Sequence, residues 1–158
     1  MELNAKNVPV SMAEIGPLIE EILHSGSSAE LTATGRSMRP MLLDRTSIVR
    51  ISAPQQLRRG DVVLFRHSSG KYLLHRIIAR EDGGTFFCRG DANVIGESGV
   101  SEEQILAVVT DYCRKTRWVS CRGFGYGCYW RLWLMTFPLR SFALRAWRHV
   151  TRKREVVP

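Results

Sequence analysis

The sequence predicts a mainly β domain that carries a helix at each end. From residue 29 to residue 119, short segments rich in β-branched and aromatic residues alternate with Gly, Pro and Asp turn signals. A helical repeat of apolar residues precedes these segments, and an aromatic, arginine-rich segment follows them. We therefore expect an N-terminal helix in residues 1–28, one β domain in residues 29–119 and a helical tail in residues 120–158.

The first expected element is an amphipathic helix that begins at Ser11. Ser11-Met12-Ala13-Glu14 has the pattern of a capping box. Helical spacing then gives one apolar face, made of Ile15, Leu18, Ile19, Ile22 and Leu23. We expect this helix to end near His24 to Gly26 and to pack on the edge of the domain. The alternative is a lid that lies over a substrate.

Six strands are expected between the two helices. Their ranges are 30–34, 47–51, 61–66, 72–80, 85–89 and 105–112. The third and fourth form a hairpin around residues 67–70, where Ser-Ser-Gly marks a turn. Short strands separated by turns at this spacing favour a coiled, partly closed β-sheet.

The turn after the first strand is the most informative part of the chain for function. Residues 34–42 read Thr-Gly-Arg-Ser-Met-Arg-Pro-Met-Leu. Gly35 opens a turn around Ser37 and Pro40 closes it, while Met38 offers an apolar anchor beside the serine. A hydroxyl held on a stiff, exposed turn suits a serine nucleophile. Taken alone, Ser-Met favours the alternative, a polar turn that contains a serine by chance.

Three further motifs follow the Ser37 turn in order. They are Gly60-Asp61-Val62-Val63, His75-Arg76-Ile77 and Gly90-Asp91-Ala92-Asn93. Together with Ser-Met-x-Pro, this ordered set resembles the catalytic core of the type I signal peptidases, which share a β-rich fold with the self-cleaving LexA-type repressors. The resemblance covers residues 30–110 and implies the coiled β-sheet of that superfamily.

The resemblance also implies a catalytic arrangement. Ser37 would be the nucleophile and His75 its general base, as in the endoplasmic-reticulum-type and archaeal branch of the family; the common bacterial branch has a lysine there. Lys71 is the alternative base, although four residues of strand place it about 13 Å from His75 along the chain. An acidic side chain should orient the histidine, and Glu97 and Asp91 both remain candidates.

Further residues are expected to support this site. The backbone N–H of Ser37, together with that of Gly35, would form the oxyanion hole. Arg76 is expected to brace the site by pairing with a carboxylate such as Asp91, and Asn93 to support the turn that contains it. The function implied is a serine endopeptidase that cleaves a peptide or protein substrate, without a cofactor or metal.

Two features depart from the family pattern. The N-terminus lacks a basic region followed by an apolar run, and it lacks a span of ~20 apolar residues. We therefore expect a cytoplasmic protein whose substrate is a leader or precursor peptide. Met41 stands where the family usually has a small residue or threonine, and it is expected to narrow the substrate pocket or to change its preference. A catalytically inactive peptide-binding module on the same fold is the alternative.

The net charge of +8 is concentrated at the C-terminal end. From Arg114 onward the chain has eleven Lys or Arg and one acid, Glu155, whereas residues 1–113 have twelve bases and fourteen acids. Tryptophan mixed with arginine favours a helix in the headgroup layer of a membrane, at its inner face, over one that spans it. Packing on the domain or on a partner is the alternative, and a membrane-associated adaptor is a third functional hypothesis. No nucleic acid partner is expected for the nearly neutral core.

The four cysteines show no Cys-x-x-Cys spacing, which argues against a zinc or redox site. The simplest interpretation is reduced thiols in a cytosol-facing protein. A bridge between Cys121 and Cys128 is the alternative.

Overall fold

The computed structural model describes the backbone of residues 12–142 and the side chains from residue 16 onward. Helix α1 spans Met12–His24 and helix α2 spans Phe124–Met135. The strands between them are β1 Ala29–Thr32, β2 Ile48–Ser52, β3 Val62–Arg66, β4 Tyr72–Arg80, β5 Phe86–Arg89, β6 Glu97–Val100, β7 Ile105–Arg114 and β8 Arg117–Ser120. Two short 3-10 turns lie at Asp82–Gly84 and Glu102–Gln104, and residues 137–142 are again helical.

All eight strands belong to one antiparallel sheet, so the prediction of a mainly β domain is confirmed. The strand order is β1-β2-β7-β3-β4-β5-β6, and β8 pairs with the far end of β7. Register shifts interrupt four of the strand pairs, and such bulges increase the local twist of a sheet. The sheet is nevertheless open, because β1 and β6 at its two ends do not pair with each other. The finer expectation, a coiled and partly closed sheet of the signal-peptidase type, stays a prediction.

The six predicted strands are present, with their ends displaced by no more than two residues. Strands β6 and β8 were not predicted from the sequence. The first is the short segment Glu-Ser-Gly-Val, and the second follows a tight turn in which Lys115 has a φ of 63°. Both are only four residues long. Their strand conformation depends on pairing, of β6 with β5 and of β8 with β7.

Helix α1 packs on the sheet through a narrower face than its apolar pattern predicts. Ile19 and Leu23 are buried in the main core, whereas the side chain of Leu18 is 55% exposed. Gly16 lies so close to Tyr72 that a Cβ at this glycine would meet the phenol oxygen at 2.5 Å. The helix ends at His24, as expected. The capping box predicted at Ser11 lies outside the described residues.

Helix α2 also packs against the sheet. Tyr126 is buried in the main core, and Tyr129 and Trp130 pack against the same cluster. The ring of Trp130 covers the backbone at Gly60, where a side chain would collide with it. The inward face of the tail thus matches the alternative of a helix packed on the domain. No helix in the described part of the chain combines the length and hydropathy that a bilayer span requires.

All four cysteines are free thiols, so the alternative bridge between Cys121 and Cys128 is not formed. Cys88 and Cys113 are buried, whereas Cys128 is exposed on α2. Burial raises the pKa of Cys88 and that of Cys121 to about 12, which keeps both thiols protonated at neutral pH.

Candidate active site

Ser37 lies at the start of a turn that follows β1, as the motif predicts. The turn is fastened to the core on both sides, because the side chains of Met38 and Leu42 are only 4% and 2% exposed. A backbone hydrogen bond of 3.0 Å from Leu42 N to Met38 O closes it. Ser37 itself is half-buried. The serine therefore lies on a rigid segment at the surface of the domain.

The backbone of Ser37 packs directly on the loop after β5. Its carbonyl accepts a hydrogen bond of 2.8 Å from Ala92 N. A Cβ added at Gly90 would lie 2.6 Å from the Ser37 carbonyl oxygen and 2.9 Å from its Cβ, so only glycine permits this approach. Asn93 N donates to Gly90 O at 2.9 Å, which forms the turn expected around Asn93.

The register of β4 and β5 brings His75 to this loop. Arg76 of β4 is the partner of Arg89 of β5. Because the two strands are antiparallel, the preceding residue His75 faces the position of Gly90, which follows Arg89. The residue on which Ser37 packs is therefore the neighbour of His75 across the strand pair.

His75 is almost fully enclosed and is hydrogen-bonded to an acid. Its Nδ1 lies 2.8 Å from Glu97 Oε2, and the two side chains are 4% and 22% exposed. Since a carboxylate only accepts hydrogen bonds, this contact assigns the ring proton to Nδ1 and leaves Nε2 as an acceptor.

The structure does not join the two principal candidates directly. Within residues 16–142, no hydrogen bond links the Ser37 hydroxyl to the His75 ring, whose partner is Glu97. Hydrogen bonds between catalytic groups are often long without substrate and shorten when it binds. The proposed nucleophile and base therefore lie on either side of Gly90: Ser37 packs on this glycine, and His75 faces it across the strand pair. No hydrogen bond joins their side chains within the described residues.

Asp91 does not contact His75 and instead pairs with Arg76 inside the protein. Asp91 Oδ1 and Oδ2 accept hydrogen bonds of 2.8 and 2.7 Å from Arg76 Nε and Nη2. Arg76 Nη1 also donates to Gly60 O at 2.8 Å and to the Tyr126 hydroxyl at 2.7 Å. Burial works to lower the pKa of Arg76, but the bonds to Asp91 and Tyr126 outweigh it and raise that pKa above its ordinary value. The guanidinium therefore stays charged.

The backbone carbonyl of Asp91 is held from the C-terminal side of the chain. Trp133 Nε1 and Arg140 Nη1 each donate to it at 3.2 Å. The Arg140 guanidinium also stacks 3.3 Å above the centre of the Trp133 ring. Sequence reasoning missed these contacts, as it missed Tyr126. The aromatic, arginine-rich composition of this segment was visible, but nothing in its pattern indicated which residues turn inward.

Two expectations about the Ser37 turn need correction. The N–H of Gly35 donates to Asp44 Oδ1 at 2.8 Å, so it is occupied and does not serve as an oxyanion donor here. The N–H of Ser37 makes no hydrogen bond to any of residues 12–142. Met41 does not narrow a pocket: its side chain is 2% exposed, and its sulfur accepts from Arg76 Nη2 at 3.2 Å.

The remaining polar candidates lie elsewhere. Lys71 is exposed at the β3–β4 hairpin, where its carbonyl accepts from His67 N. Asp61 Oδ2 accepts from Arg58 N at 2.8 Å, which closes a turn, and burial raises the pKa of this carboxyl. Among the described side chains, no group of three His, Cys, Asp or Glu could hold a metal ion.

A scan against models of protein families gave no match, and a search of curated protein sequences gave none either.

Proposed function

We propose that this chain is a serine endopeptidase of the signal-peptidase type, with Ser37 as nucleophile, His75 as general base and Glu97 as the group that orients the base. One observation carries the proposal: the hydrogen bond between His75 and Glu97 at the strand position that adjoins the Ser37 turn. An imidazole whose Nδ1–H is bound to a carboxylate presents Nε2 as a proton acceptor, which is the state that a general base requires.

The reaction follows from these roles. As Ser37 Oγ attacks the scissile carbonyl, its proton moves to His75 Nε2 and the carbonyl becomes an oxyanion. The N–H of Ser37 donates to that oxyanion. His75 then gives the proton to the leaving amine, and an acyl-enzyme remains on Ser37. A water molecule, deprotonated by His75, hydrolyses this ester and restores the serine.

Arg76 and Asp91 act as positioning residues in this scheme. Asp91 lies in the Gly90–Asn93 turn that contacts Ser37, and its buried ion pair fastens that turn to β4. Because β4 also carries His75, the ion pair connects the segment under the nucleophile to the strand of the base. No cofactor enters the proposed reaction.

We propose a leader or precursor peptide as substrate. Among the strands of residues 12–142, β1 leads into the Ser37 turn and is the first of the sheet, paired on one side with β2. An extended peptide could add to this edge by backbone hydrogen bonds and bring its scissile bond to Ser37. Small side chains beside the cut are the expected preference. The proposed place of action is the cytoplasm, at the inner face of the membrane.

A fluorophosphonate probe tests the proposed nucleophile without a known substrate. We expect the wild-type chain to be labelled on Ser37, with the site mapped by mass spectrometry, because an activated serine alcohol attacks the probe. Ser37→Ala should abolish labelling, whereas Ser68→Ala, at an exposed hairpin serine, should not change it. A label on another serine, or none, would contradict the proposal. Peptide binding without turnover would favour the peptide-binding module.

The contact at Gly90 gives a second test of the site. Gly90→Ala should slow labelling of Ser37 markedly. The new Cβ would lie 2.6 Å from the Ser37 carbonyl oxygen, so the backbone of Ser37 would have to move. Gly125→Ala is the matched control, since a Cβ at that glycine would meet nothing within 4 Å. Circular dichroism should show both variants folded. Equal labelling rates in the two variants would mean that this close approach does not position the nucleophile.

A further inference from the structure

One face of the C-terminal helical segment is apolar and open to solvent. Its large side chains recur every three to four residues, which places them on one side of a helix. They are Phe124 (89% exposed), Leu132 (63%), Met135 (77%), Leu139 (77%) and Phe142 (76%). Cys128 lies on the same side and is also exposed. We call these six residues the apolar stripe.

The stripe cannot turn inward, because the opposite face of the segment is already used. Tyr126 is buried in the core, Trp133 and Arg140 are bonded to the Asp91 carbonyl, and Phe137 lies 3.4 Å from the Arg89 guanidinium. Among the exposed side chains of residues 124–142, Arg131 is the single charged one. A solvent-facing helix surface normally carries polar side chains, so an apolar surface of this extent indicates a partner.

The surrounding charge identifies the kind of partner. From residue 112 to residue 154 the chain contains no Asp or Glu and eleven Lys or Arg. Exposed bases of this set are Arg122, two residues before the segment, Arg131 within it, and three at the β7–β8 hairpin, Arg114, Lys115 and Arg117. A second copy of the chain would bring the same positive charges together, which disfavours self-association through the stripe. An anionic surface that also accepts apolar side chains satisfies both features.

We propose that the apolar stripe binds the surface of an anionic lipid bilayer, with the helical segment lying in the plane of the headgroups. The apolar side chains would enter the boundary of the acyl chains, while the neighbouring bases contact lipid phosphates. Because the inward face of the same segment is bonded to the Asp91 loop, docking would hold the Ser37 turn close to the membrane. The proposal concerns attachment and does not depend on the proposed peptidase activity.

Flotation of the full-length chain with vesicles tests this docking. We expect binding to vesicles of phosphatidylcholine and phosphatidylglycerol, and weak binding to phosphatidylcholine alone. Leu132→Gln combined with Leu139→Gln should lower the partition coefficient at least about tenfold, because two apolar side chains are lost from the buried face. The matched control is Leu18→Gln combined with Ile95→Gln, which removes two large exposed side chains outside the segment and should bind as wild type.

A probe on the stripe gives a second readout that is independent of protein recovery. Cys128 is the exposed thiol among the four cysteines, so an environment-sensitive fluorophore should attach there first. Its emission should shift to the blue when anionic vesicles are added. Equal vesicle binding by the stripe variant and the control would overturn the proposal. So would a dimer that the stripe variant dissociates, detected by light scattering, with no vesicle binding by the wild type.

Discussion

Slower phosphonylation of Ser37 by a fluorophosphonate probe, with loss of fluoride, is the expected result of His75→Ala. The rate constant for fluorophosphonate labelling should fall about 10²–10⁴-fold, which is the usual contribution of a positioned general base. The physical reason is that the two other candidates from the sequence cannot replace the imidazole: Asp91 is paired with Arg76, and Lys71 lies at the hairpin. Stopped-flow or gel-based labelling over time measures the rate without a substrate.

Glu97 and Lys71 supply the comparison variants for this experiment. Glu97→Gln keeps the size of the side chain but removes the charge that favours protonated His75, so labelling should slow to a rate between those of the wild type and His75→Ala. Lys71→Ala should label at the wild-type rate. A loss in Lys71→Ala as large as that in His75→Ala would show that the assignment of the base is wrong.

Asp91→Ala should lower the free energy of unfolding by about 3–5 kcal/mol, because removal of one partner leaves a charge buried and unpaired. The charge left behind is that of Arg76, whose side chain is 0% exposed. Gly60 O and the Tyr126 hydroxyl would still contact the guanidinium, but neither carries a compensating charge. Urea denaturation followed by circular dichroism measures the change.

An exposed ion pair in the same protein provides the control. Arg50 and Glu30 are also joined at 2.8 Å, with side chains 39% and 50% exposed. Glu30→Ala should cost less than about 1 kcal/mol, because solvent screens such pairs. Arg76→Met combined with Asp91→Leu should cost less than Asp91→Ala alone, since neither charge then remains buried. An equal loss of unfolding free energy in Asp91→Ala and Glu30→Ala would contradict the expectation that burial makes the Arg76–Asp91 pair the more important one.

Much of the fold follows from local sequence patterns. The hairpin of β3 and β4 is predictable because its two apolar runs flank a Ser-Ser-Gly turn, and β4 has the bounds 72–80 that its pattern indicates. Strands β6 and β8 lack that pattern, since their conformation depends on pairing with distant strands. Sheet closure likewise depends on whether the first and last strands meet, which no local pattern determines.

The candidate site likewise has contacts that the sequence predicts and contacts that it does not. The motifs place Ser37 on a turn and Arg76 and Asp91 in an ion pair, because short polar sequences between strands limit where those side chains can lie. The sequence alone left the choice between Glu97 and Asp91 as the partner of His75 open. That choice depends on the β5–β6 register, in which Glu97 pairs with Cys88. The hydrogen bond from Gly35 N–H to Asp44 was not predictable from a sequence motif. It forms because the loop that follows the Ser37 turn brings Asp44 back to Gly35.

The two hydrogen bonds that Trp133 and Arg140 make to the Asp91 carbonyl have a consequence for how the protein can be divided. A fragment that ends at Ser120 would retain strands β1 to β8. It would lose both donors to this oxygen and the side chain of Tyr126, which is buried in the core. The folded domain therefore includes the C-terminal helical segment. Truncation is unsuitable for testing membrane binding separately from peptidase activity, because it would also disturb the Asp91 loop.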